Sequence, residues 1–76
     1  MSRLSEVSPE RVEAIGRICE SFHWFYDRVE AGEIAGLEYG RVRRRLYDNA
    51  YRILPDLMPE EIQGIEDLVH WERYEQ

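Results

Sequence analysis

The chain has 76 residues, enough for a single domain, and carries 16 acidic against 10 basic side chains for a net charge of −6. A hydrophobic fraction of 43%, with 12% of all residues aromatic, supports a packed core and argues against disorder, although so short a chain buries only about 60% of the surface its unfolded form exposes. The one cysteine, Cys19, excludes an internal disulfide framework; no apolar run approaches the roughly 20 residues that cross a bilayer, and no signal-peptide pattern opens the sequence, so a cytoplasmic protein is expected.

Residues 1–7 precede any helix signal and are expected to form a flexible N-terminal segment of the one domain, 1–76. Ser8-Pro9-Glu10 then supplies an N-cap, a proline at the first helical position and an acid in the first turn. Gly32 supplies a left-handed stop, so a first helix is predicted over about 9–31. At about 100° per residue, Val12, Ile15, Ile18, Cys19, Phe22, Phe25, Tyr26 and Val29 fall within an arc of about 140°, the expected inward face. The glycine-containing link at 32–38 holds Ile34 and Leu37 and is expected to carry at most one helical turn.

A second helix over about 39–54 follows from Tyr39, Val42, Leu46, Ala50 and Ile53, which repeat at steps of three and four until Pro55 disfavours helix at Leu54. Pro59-Glu60-Glu61 restarts the chain, and Met58, Ile62, Ile65, Leu68 and Val69 make one stripe on a third helix over about 59–74. No alternating strand pattern appears. An all-α fold, a compact three-helix bundle, is the economical architecture.

Trp24 breaks the amphipathic order of the first helix, projecting about 180° from the centre of the apolar arc among Glu13, Arg17, Glu20, Asp27 and Arg28. On the third helix Trp71 and Tyr74 likewise leave the apolar stripe, toward Glu60, Gly64 and Asp67. Such rings anchor protein interfaces, because they combine large apolar area with a polar tip. The competing expectation is cover within the fold, from residues 1–7 or the 33–38 link.

Every basic residue is arginine, and charge is unevenly placed: the net is −3 over 1–36, +3 over 37–54 and −6 over 55–76. Arg41, Arg45 and Arg52, with Arg44 to one side and Asp48 interrupting, form a candidate basic face on the second helix that could meet phosphates. The net charge opposes a polyanion at long range, so direct nucleic-acid binding is disfavoured, and internal pairing is the simpler expectation. Arg43 differs: it lies near the apolar stripe between Tyr39 and Tyr47, where stacking on a ring or pairing with an acid is expected. The acids Glu6, Glu10, Glu13, Glu20, Glu60, Asp67, Glu72 and Glu75 could imitate a phosphate row, as in inhibitors of nucleic-acid-processing complexes, phage-encoded ones included, or simply keep the protein soluble. Glu60-Glu61 and Glu66-Asp67 are expected at caps or on solvated faces.

Cys19 and His23, four residues apart, with His70 from another helix, are weak candidates for a metal site, lacking the ligand spacing of structural zinc; neither metal nor cofactor is expected. No phosphate loop, triad or convergent acid pair is present, so no enzyme is expected. The sequence reading is a small acidic, non-enzymatic protein-binding module, acting as regulator, inhibitor or complex subunit. Trp24, Trp71 and Tyr74 are its anchors, with Glu20, Asp67 and Glu60 around them; a second copy is an alternative partner and a membrane is not expected.

Overall fold

Ser8 begins the first helix by accepting, on its side-chain oxygen, the Arg11 amide at 3.0 Å, which satisfies one of the amides the first turn leaves open. The structure, a computed structural model, describes residues 8–75. Three helices make it up: α1 (Pro9–Glu30), α2 (Leu37–Ile53) and α3 (Pro59–Tyr74). The all-α, three-helix expectation is met, and the boundaries fall within two residues of those predicted. The expected flexible segment 1–7 lies outside the described residues.

α1 ends at Ala31, where Gly32 takes φ +76°, a left-handed conformation that costs a side-chain-bearing residue far more. The link yields its final residues to α2, which starts at Leu37 rather than 39 because Gly36, at φ +58°, turns the chain directly into the helix. α2 stops at Ile53, and Leu54 is extended before Pro55. At the start of α3 the Glu61 carboxylate accepts the Met58 amide at 2.8 Å, the acidic half of a capping box.

α1 packs against both neighbours. Phe22 meets Tyr47 and Phe25 meets Tyr39, so α2 runs antiparallel to α1. Arg11 pairs with Asp56 and Glu61 at one end and Arg73 with Asp27 and Glu30 at the other, so α3 runs parallel to α1. The core holds Ile18, Phe22, Phe25 and Tyr26 of α1, Leu46 and Ala50 of α2, and Ile62, Ile65 and Val69 of α3. Ile34 and Leu57, one from each link, are also buried, so both connections contribute to the core.

Five positions differ from the predicted stripes, one of them Tyr39 of α2, which is 37% exposed. Val12, at one edge of the α1 arc, is 57% exposed, while Phe25 at the opposite edge is buried because it faces α2. On α3 the buried set is Ile62, Ile65, Glu66 and Val69, so the inward face is rotated by about 50° from the predicted stripe. That rotation carries Leu68 outward to 49% exposure and brings Glu66 in to 5%; Met58, ahead of the helix, is also exposed. The expectation that Glu66 sits on a solvated face is therefore corrected.

Candidate protein-binding faces

Glu66 is tolerated inside because α2 brings two donors to it. Arg43 donates from Nε to Glu66 Oε2 at 2.8 Å and from Nη2 to Oε1 at 2.7 Å, a bidentate fork, and the Tyr47 hydroxyl donates to Oε1 at 2.5 Å. The Arg43 guanidinium also lies 4.7 Å from the centre of the Tyr47 ring. Burial pushes the Glu66 carboxyl up, yet the Arg43 and Tyr47 hydrogen bonds more than offset it and hold the group below its ordinary range. Burial and the adjacent carboxylate push the Tyr47 phenol up. The sequence indicated that Arg43 would stack or pair, but not its partner. Arg43 Nε and Nη2, the Tyr47 hydroxyl and both Glu66 oxygens bond to one another, which makes the cluster a structural joint between α2 and α3.

A second joint closes the far end of α1 and α3. Arg73 donates from Nη2 to Asp27 and to Glu30, each at 2.7 Å, and from Nη1 to His23 Nδ1 at 3.2 Å, a contact that requires Nδ1 to be the acceptor. Tyr74 donates its hydroxyl to Glu30 and packs edge-on against Tyr26 and beside His70. The Tyr74 and Arg73 hydrogen bonds hold the Glu30 carboxyl below its ordinary range. Burial, above all, raises the Tyr26 phenol to about 12.

Of the three predicted anchors, Tyr74 is half-exposed with its ring and hydroxyl engaged inside the chain. Trp24 and Trp71 are 47% and 48% exposed, and neither enters an aromatic contact among the described residues. Residues 1–7, one of the two covers expected for Trp24, lie outside the described residues. Glu20, Asp67 and Glu60, expected beside the anchors, are all exposed. Leu68, predicted inward, is instead an outward neighbour of Trp71, three residues along the same helix.

Arginine pairing divides sharply by helix face. Among the described residues Arg11, Arg17, Arg28, Arg43 and Arg73 all make ion pairs, and Arg41, Arg44, Arg45 and Arg52 make none. Those four are exposed on the outer side of α2, and Arg45 and Arg52 line a shallow depression with Asp48 and Asn49. Internal neutralisation of this basic stretch is therefore confined to Arg43. Leu37, at the head of the same face, is 85% exposed.

Cys19, His23 and His70 do not assemble: no group of three His, Cys, Asp or Glu side chains able to hold a metal ion occurs among the described residues. Cys19 is half-buried, and burial together with the Glu72 charge pushes its thiol up, away from the reactive thiolate. Among the described residues no helix is long and apolar enough to cross a membrane. No protein family, curated protein or solved structure matches this chain.

Proposed function

We propose that this protein is a non-enzymatic protein-binding module whose outward helix faces, rather than a pocket, make the contact. The observation that carries the reading is the pair Trp24 and Trp71, each about half exposed on a different helix while smaller apolar residues fill the core. A 76-residue protein gains stability from every large ring it buries, so leaving both indoles half exposed forgoes about half of a burial worth roughly 1.5–3 kcal/mol per large side chain. Interface anchors of this type contribute most when a partner desolvates them. Glu20 beside Trp24, and Glu60 and Asp67 on the Trp71 side of α3, add charge that orients an approaching surface and sets its association rate. Arrangement as regulator, inhibitor or complex subunit is compatible with this chemistry.

The test is affinity capture from the source cell with the wild-type chain, Trp24→Ala and Trp71→Ala, each variant checked by thermal unfolding. Retained stability with loss of a captured protein supports the reading. Capture unchanged in both variants removes it, and so does a large drop in melting temperature that accounts for the loss.

A further inference from the structure

The outer faces of α2 and α3 have matching spacing and opposite character. Along α2, read from its C-terminal end, one row of exposed positions opposite the core runs Arg52, Asp48, Arg45, Arg41 and Leu37, at steps of four, three, four and four residues. Along α3, from its N-terminal end, Glu60, Gly64, Asp67, Trp71 and Glu75 are exposed at the same steps in the same order. Each row spans about 22 Å at about 1.5 Å per residue. Laid antiparallel, the rows oppose Arg52 to Glu60, Arg45 to Asp67, and Arg41 to Trp71. Asp48, the one acid in the basic row, then meets Gly64, which has no side chain and no heavy atom within 4 Å of the place a Cβ would occupy.

We infer that the α2 face of one copy of this chain docks on the α3 face of a second copy, in antiparallel register. This rests on the binding role proposed for the Trp71 face and names its partner; Trp24 on α1 stays free for a different protein. Two carboxylate–guanidinium pairs and one guanidinium stacked on an indole form the contact, and at its open end Leu37 lies opposite Glu75. Three of the four arginines without an ion pair among the described residues, Arg41, Arg45 and Arg52, and an unburied Trp71 are satisfied together. The repulsion between two copies of net charge −6 is screened beyond about 8 Å at physiological ionic strength, whereas the facing pairs act at contact. A duplex phosphate row fits less well, because it would meet Asp48. The contact joins unlike faces, so each added copy leaves one basic and one acidic face open, and assembly proceeds to rings or short chains.

Sedimentation velocity over a concentration series tests this with the full chain, the double variants Arg45→Glu/Arg52→Glu and Glu60→Arg/Asp67→Arg, and their equimolar mixture. All four positions are exposed, and circular dichroism verifies each fold. The expected result is a wild-type mass that rises with concentration and falls with added salt, a loss of association of more than about tenfold in each variant alone, and recovery in the mixture. A wild type that stays monomeric at every concentration overturns the inference, as does a mixture that fails to recover. A salt-sensitive mobility shift of a duplex DNA probe by a monomeric wild type, lost in Arg45→Glu/Arg52→Glu, would assign the α2 row to nucleic acid instead. Failure here with Trp24-dependent capture intact would leave the broader binding role standing.

Discussion

Replacing Glu66 by alanine removes the acceptor of four hydrogen bonds, two from Arg43, one from Tyr47 and a longer one from Gln63. Removing one partner of a fully buried pair costs about 3–5 kcal/mol because the other charge is left without compensation. Here the Arg43 side chain keeps 38% exposure and can swing to water, so the expected loss is nearer about 2–3 kcal/mol. For a domain of this size that lowers the melting temperature by about 10–20 °C. The pH dependence is signed. Glu66 is held below its ordinary value in the fold, so below the unfolded value of about 4.3 the unfolded chain binds the proton more readily. Its contribution is complete above that pH and is lost as pH falls through the folded value. Glu30 titrates in the same direction but is present in both proteins, so it cancels in the difference. Urea unfolding of wild type and Glu66→Ala at neutral pH and at successively lower pH reads this directly. A difference within about 0.5 kcal/mol at neutral pH, or one that does not shrink on acidification, would refute the account of α3 as a helix rotated to bury a paired carboxylate.

Phe25→Ala empties a fully buried site between α1 and Tyr39 and should cost about 3–5 kcal/mol, enough to leave much of this small domain unfolded at 37 °C by circular dichroism. Ser8→Ala, which removes only the cap to the Arg11 amide, should cost about 1 kcal/mol in urea unfolding. Tyr26, whose phenol titrates near 12 in the fold against about 10 unfolded, favours the folded state fully below pH 10 and progressively less up to 12. Stability should therefore fall across that window, less steeply in Tyr26→Phe. Acrylamide should quench the fluorescence of both indoles in the monomer efficiently; a blue-shifted, shielded emission from either one would contradict the exposure on which the proposed binding role depends.

The residues themselves fix where each helix begins and ends, because caps and breakers act within one turn: Ser8 with Pro9, Gly32, Pro55 and Pro59 mark boundaries to within two residues of those observed. The pattern also set Trp24 and Trp71 far from any inward centre the apolar residues could define, but it left open whether another segment of the chain covers them, and their half exposure is a result of the tertiary arrangement. Helix rotation is a different kind of quantity. Counting apolar positions on α3 points inward at Ile62, Ile65 and Leu68, and nothing local favours Glu66 over Leu68. Only when α2 lies alongside do Arg43 and Tyr47 supply donors that outweigh the desolvation of a carboxylate, and the helix then turns by about 50°. Tertiary packing likewise drew Ile34 and Leu57 into the core, gave Arg73 its two carboxylates, and left the outer arginines of α2 without an ion pair among the described residues. Each of those outcomes depends on contacts between segments far apart in the chain, which a pattern read one turn at a time does not contain.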